Sequence, residues 1–313
     1  MAFTKGPVVL ETGASSERGV VTTSTTTGTR QSQRIKYFFI LPGMLWILAF
    51  TIFPLLYAIR LSFYSYKLST PERWVGLANY ARALEDERLQ QALGITVRFV
   101  LVSVVATVVL GLLLALLFNR PMRGLPTLRA ILTMPLFTPA IAIAYLTLTI
   151  IHENGPVNNM IKLLGFTPVP FLSDPFWAFI AVCVVDIWQW TPFAFLVLLA
   201  GLQSLPEEIY EAAALDTSSS WQTFRHITLP LLTPVIVTVA MLRTVEAFKV
   251  NDIPFSLTNG GPGASTRTYT FYTYITGFKN FDLGYATALA FIFAALMILL
   301  ASIFFLRARR VYD

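Results

Sequence analysis

The chain is short of charge, of cysteine and of histidine, and each shortage removes a class of function. Asp, Glu, Lys and Arg make up 13% of its 313 residues, about half the share of an ordinary soluble domain. Hydrophobic residues make up 55%, a composition for lipid rather than water. The single cysteine, Cys183, excludes a disulfide within the chain and reads as a small core residue in an apolar run. The two histidines, His152 and His226, have no cysteine or third histidine beside them, so neither a metal site nor a Ser-His-Asp constellation is expected. No G-x-x-x-x-G-K-[ST] run occurs. The glycine-rich stretch Gly260 to Gly263 lacks the Lys-Ser/Thr pair and does not open a helix after a strand, which excludes nucleotide binding there. No exposed basic helix interleaves aromatics, and the net charge of +6 comes from clusters flanking apolar runs, so no nucleic-acid partner is implied. The chain carries no catalytic engine and no cofactor of its own.

What it has in quantity is apolar length. Six segments, 37–59, 95–118, 130–151, 177–200, 229–250 and 285–306, can each span a hydrocarbon core, which needs about 20 residues. The expected fold is an all-α membrane protein, a bundle of about six transmembrane helices occupying residues 35–310. Residues 1–34, rich in Ser, Thr and Gly and without apolar periodicity, read as a flexible cytoplasmic tail; residues 311–313 are a short C-terminal tail. The run after the first tail is too long for a signal-peptide core and ends without a small-residue cleavage site. Arg30, Arg34 and Lys36 precede the first span, Arg120, Arg123 and Arg129 follow the second, and Arg307, Arg309 and Arg310 follow the sixth. By the positive-inside rule these clusters, and with them both termini, are cytoplasmic. The same parity puts residues 203–226 in the cytoplasm.

That loop is ordered rather than a bare connector. Ser204 is placed to cap a helix with Pro206, Glu207 and Glu208 in its first turn, running through Tyr210, Glu211 and the alanines 212–214 to stop near Asp216. Ser220 is placed to cap a second short helix holding Trp221, Phe224 and Ile227. Two short helices at an angle make a compact knob.

Polar residues within the spans are few and grouped. Pro42 and Pro54 in the first span call for neighbouring helices to satisfy freed carbonyls. Pro135 and Pro139 in the third predict a kink. The fourth span carries Asp186, Trp188, Gln189 and Trp190; aromatic faces beside amide and carboxylate groups suit a polyhydroxylated ligand, and they equally suit contacts between helices. In the fifth, Arg243, Glu246 and Lys249 recur at three-residue spacing and can pair in sequence, with Asn251, Asp252 and Phe255 following. They fit a substrate path or an ion-pair ladder at a subunit interface.

EAAALD, from Glu211 to Asp216, followed by Phe224, Ile227, Leu229-Pro230 and Pro234, resembles the EAA loop of permease subunits in binding-protein-dependent ABC importers. VGLANY after the first span, GPVNNMIKLLG after the third, AFKVNDIPFSLTNGGPGAST after the fifth and FKNFDLGYATALAFIF before the sixth resemble phrases of the carbohydrate branch, the maltose and glycerol-phosphate permease type with the type I importer fold. The resemblance covers nearly all of Ile35 to Arg310. It implies that Glu211, Ala212, Ala213, Asp216 and Thr217 lie in the loop that docks an ATPase, and Thr217 departs from the glycine usual at its position. It implies a substrate path along Asp186, Trp188, Gln189, Trp190, Arg243, Glu246, Lys249, Asn251, Asp252 and Phe255. It also implies a second homologous permease, two ATP-binding subunits that hold ATP and Mg, an extracytoplasmic solute-binding protein, and a place in the bacterial inner membrane. The solute implied is a sugar or sugar-like compound: oligosaccharide, monosaccharide, polyol, glycerol or its phosphate, or acidic sugar. An ion-coupled secondary transporter is the alternative, since broken helices and intramembrane charges suit it too; a non-transporting membrane scaffold is another.

Overall fold

The structure, a computed structural model, describes residues 39–312 apart from 69, 121–122 and 217–218, with side chains described for all of these except 216, 305 and 307–312. The expected tail 1–34, Arg30, Arg34, Lys36, Thr217 and the side chains of Asp216, Arg307, Arg309 and Arg310 lie outside the described residues. The chain divides into two units, Met1–Leu55 and Leu56–Asp313.

The first unit is described by the start of helix α1 (Phe39–Ser62). Pro54 lacks an N–H and its ring crowds the carbonyl one turn back. The helix answers locally: a wider π-helical turn, Leu48–Ile52, precedes the proline, with the Phe53 N–H bonded to the Leu48 carbonyl. The helix thus reaches Pro54 through a widened turn and continues beyond it to Ser62.

The second unit opens with a two-stranded hairpin, β1 (Tyr64–Ser65) against β2 (Arg73–Trp74), and a short helix α2 (Ala78–Glu85). Asn79 of the VGLANY phrase is buried and donates to the carbonyls of Ser62 and Tyr64 at 2.8 and 2.9 Å. This pins the hairpin to α2. Helix α3 (Glu87–Phe118) starts earlier than the expected span because Asp86 caps it, accepting from the amides of Arg88 and Leu89 at 3.0 and 3.2 Å.

The third span is broken. Helix α4 (Leu125–Thr133) runs into a 3-10 turn, Met134–Phe137, and α5 (Ala140–Ile151) leaves it at 98°. The residue before a proline avoids the helical region, and Thr138 before Pro139 is extended, with ψ 131°. The kink read from the two prolines is thus a change of direction. Then come α6 (Pro156–Leu163), α7 (Pro175–Gln203), α8 (Glu207–Asp216), α9 (Ser220–Phe248), α10 (Tyr269–Tyr274) and α11 (Leu283–Tyr312). Helices α1, α3, α7, α9 and α11 each contain enough apolar length to cross a membrane, and the bent segment 125–163 makes a sixth if counted as one span. The fold is all-α, with five to six membrane-spanning helices.

The core lies where α3, α7 and α9 meet. A Cβ added at Gly111 of α3 would sit 2.5 Å from the Ala194 Cβ and 2.9 Å from the Phe195 nitrogen of α7. Ala115, Ala194 and Phe195 around it are fully buried. Lipid tails offer no hydrophobic drive to bring helices together, so close backbone approach through small residues supplies the packing. This fixes how α7 presents its polar face.

Candidate functional site

Helix α7 is apolar except for a short polar run. At 3.6 residues per turn, Asp186, Gln189 and Trp190 share one face, and residue 188 lies about 200° round from residue 186. Facing them is the end of α9 and the loop after it. Asp186, Gln189 and Trp190 meet Glu246, Lys249, Asn251 and Asp252, with Ala140, Val250 and Ile253, around a cavity of about 170 Å³. The loop is held by the Thr268 hydroxyl, which donates to the Val250 carbonyl at 3.0 Å, and by that of Thr270, which donates to the same oxygen.

Behind the cavity wall, the guanidinium of Arg243 donates to the Asp186 carboxylate, with both side chains almost fully buried. The Arg243 guanidinium also lies 5.1 Å from the centre of the Trp190 ring. This corrects the expected pairing in sequence: Glu246 does pair with Lys249, at 2.6 Å, but Arg243 crosses to another helix. A buried guanidinium needs an equally buried anion. Glu246 is 40% exposed and Asp186 2%, so burial selects Asp186.

Gln189 has two tasks. Its Nε2 donates at 3.1 Å to the Thr138 carbonyl at the break before Pro139, while its Oε1 is buried without a partner. The break in the third span and the polar face of α7 are thus one construction. Asn251 likewise donates to Asp252 at 3.4 Å and leaves its Oδ1 unpaired. Ala140, Val250 and Ile253 were not singled out from sequence, because apolar wall residues carry no chemical signature.

Two of the expected path residues lie elsewhere. Trp188 is 55% exposed and lines a separate apolar cavity of about 850 Å³ with Leu110, Ile131, Met134 and Pro135. Helical periodicity turns it away from Asp186. Phe255 is half-buried edge-on to Phe271 and Tyr274, at 5.9 and 5.4 Å between ring centres, and does not line the polar cavity.

The TNGGP phrase is a turn rather than an anion cradle. Asn259 and Gly260 adopt φ of 48° and 80°, and a Cβ on Gly260 would lie 2.5 Å from the Phe271 ring, so only glycine fits. Asn158 of the GPVNNMIKLLG phrase is fully buried, donating to the carbonyls of His152 and Val169 and accepting from the Val169 amide at 2.9 Å. It ties the connection between α5 and α7. Among the described residues no group of His, Cys, Asp and Glu could hold a metal ion.

A second polar network sits at the start of α3. Besides capping that helix, Asp86 accepts from the hydroxyls of Tyr272 and Tyr285 at 2.6 and 2.7 Å. Burial pushes the Asp86 carboxyl up, but these hydroxyls and the two cap amides outweigh it and hold it below the ordinary carboxylate range. Burial first, and then the bond to Asp86, pushes the Tyr272 phenol up to about 12. Arg82 stacks over the Tyr285 ring at 3.8 Å and pairs with Asp282 at 2.9 Å.

The segment after α7 forms the first expected helix as α8, but the second is no separate short helix: it is the start of α9, which runs on to Phe248, and both expected caps are displaced. The Ser204 hydroxyl donates to the Gly201 carbonyl at 2.8 Å and so finishes α7. Ser219 caps α9, accepting from the Gln222 amide, where Ser220 was expected. A π-helical turn, Phe224–Thr228, precedes Pro230 and Pro234. The Tyr210 hydroxyl lies 3.2 Å from that of Thr228, linking α8 to α9. Ala213 is buried, and Glu211 and Ala212 are exposed. Leu215 and Trp221 are 91% and 66% exposed, large apolar surfaces on an otherwise polar knob.

Apolar spanning helices, a polar cavity set among them and an exposed helical knob are the parts of a membrane transport component. Residues 107–313 match the family described as binding-protein-dependent transport system inner membrane component, and the chain belongs to that family. It is similar to the trehalose/maltose transport system permease protein MalF of Thermococcus litoralis, 38% identical over 80% of this chain and 84% of that one. It is similar to the sulfoquinovosyl glycerol transport system permease protein SmoG of Agrobacterium fabrum, 34% identical over 87% of this chain and 89% of that one. A chain in the crystal structure of a bacterial ABC transporter involved in import of the acidic polysaccharide alginate shares the fold, with a TM-score of 0.79 and 24% identity over 90% of this chain and 98% of that one.

Proposed function

We propose that this chain is the membrane-spanning permease subunit of an ATP-driven importer that moves a sugar or sugar-like solute into the cytoplasm. The observation that carries the reading is the gathering of Asp186, Gln189, Trp190, Glu246, Lys249, Asn251 and Asp252 around one cavity in an otherwise apolar bundle. Polar groups at such depth are costly, at roughly 2.5 to 3.5 kcal/mol per charge on insertion scales, and serve a path or a partner. A sugar ring presents apolar C–H faces and a rim of hydroxyls. Trp190 matches the first, and the amides, carboxylates and ammonium match the second.

In this reading the knob is the coupling element. Separate subunits bind and hydrolyse ATP with Mg, and Glu211, Ala212, Ala213, Asp216 and Thr217 lie in the segment that docks one of them. Leu215 and Trp221 supply apolar contact. The bond between Tyr210 and Thr228 stiffens the knob, so that a displacement of the ATPase biases the helices instead of bending the loop. A second permease completes the pathway, a solute-binding protein delivers the solute from outside, and the chain sits in the bacterial inner membrane with both termini cytoplasmic.

Purification from membranes tests this. The native chain is expected to bring down an ATPase subunit, and a Glu211→Lys variant is expected to lose it while remaining folded. A native chain that purifies alone, with solute flux that follows an ion gradient, would refute the proposal.

A further inference from the structure

The relatives include proteins named for neutral and for anionic solutes, so kinship leaves open the charge of what passes here. The cavity wall does not. Arg243 is fully buried and committed to Asp186, and Lys249 is committed to Glu246 at 2.6 Å. Asp252 is exposed, and its only polar contact among the described residues is the Asn251 amide at 3.4 Å. Among the described residues it is the one charge of the wall with no counter-ion. An anionic solute needs an uncommitted cation, and this wall offers an uncommitted carboxylate instead.

Among the residues that line the cavity the unpaired atoms are acceptors, while the unpaired donors of Arg243, Nε and Nη1, belong to a residue behind the wall. Gln189 is 8% exposed and its Oε1 has no partner; Asn251 Oδ1 is also buried and unpaired. Both are acceptors, as is the Asp252 carboxylate. The Asp252 carboxylate is the acceptor that the cavity exposes: a sugar hydroxyl can donate to it, whereas the carboxylate, sulfonate or phosphate of an acidic sugar brings a like charge. The volume of about 170 Å³ is close to that of a cavity of roughly 150 Å³ that takes one benzene ring, the scale of a single sugar ring.

Resting on the transport reading above, we propose that the cavity takes one uncharged, polyhydroxylated ring, and that Asp252 is the specificity residue that turns away anionic sugars. The Asp252→Asn change keeps the shape and the contact with Asn251 while removing the charge.

The test is equilibrium binding to the purified, complete transport complex without its solute-binding protein. Trehalose, maltose and lactose serve as neutral probes, and an alginate disaccharide, which carries carboxylates, as the acidic one. At least one neutral disaccharide is expected to bind the native complex more tightly than the acidic one. Asp252→Asn is expected to strengthen binding of the acidic sugar by about fivefold relative to the neutral one, the scale for one partly screened charge nearby. Equal or tighter binding of the acidic sugar by the native complex, or an unchanged ratio in the variant, overturns the inference and leaves the transport reading intact. If no sugar binds, or if binding survives Gln189→Ala and Trp190→Ala, the site itself is misplaced, and the inference falls with it.

Discussion

Removing the Asp186 charge while keeping its shape, as Asp186→Asn, isolates the energetics of the buried pair. Arg243 is then left with 0% exposure, its Nε and Nη1 already unpartnered, and no other anion within 4.0 Å among the described residues. Breaking a buried pair from one side costs about 3–5 kcal/mol because the remaining charge stays desolvated. For a unit of this size about 2–4 °C is lost per kcal/mol, so the unfolding midpoint is expected to fall by roughly 6–20 °C. Replacing both partners, Asp186→Leu with Arg243→Met, removes the charge and its counter-charge together and is expected to recover most of that loss. Thermal unfolding of the detergent-solubilised protein, followed by tryptophan fluorescence across the native, single and double variants, measures the coupling. Additive singles, or an Asp186→Asn midpoint within about 2 °C of native, would refute the assignment of Asp186 as the counter-ion of Arg243.

Two further outcomes follow from packing and titration. Gly111→Val forces α3 from α7, since even one Cβ meets Ala194 at 2.5 Å; a destabilisation of about 1–3 kcal/mol is expected, seen as a lower midpoint, whereas Gly94→Ala, with open space at its Cβ, is expected to leave the midpoint nearly unchanged. The Asp86 carboxyl is held below its ordinary value of 3.8 in the folded chain, so its bonds stabilise the fold fully above that value, and the contribution is lost as pH falls from there through the folded pKa; replacing Tyr272 and Tyr285 by Phe is expected to move acid unfolding to higher pH, and an unchanged acid transition would count against the network.

The helices were legible because apolar length and proline position act locally. A run of about 20 apolar residues spans lipid whatever it packs against, and Pro139 ends a helix by its own ring. The knob was legible as helical, but neither the continuity of its second helix with α9 nor its caps were: which of neighbouring serines meets a free backbone group is settled by backbone geometry, and as residues they are equivalent. The grouping of Asp186, Gln189 and Trp190 was visible as a polar run, and helical periodicity already separates Trp188 from them.

Sequence by itself determined the membrane, the α-helical class, the family and the residues rich enough in chemistry to form a site. Tertiary structure decided which of them meet. Arg243 has Glu246 within one turn, yet it pairs with Asp186, 57 residues away, because burial rather than spacing chooses the partner of a charge. Gln189 reaches the Thr138 carbonyl across 51 residues, because a broken helix leaves an acceptor whose donor another helix must supply. Periodicity acts along one helix, whereas desolvation depends on every helix around it, so the cavity emerges only when the chain is folded.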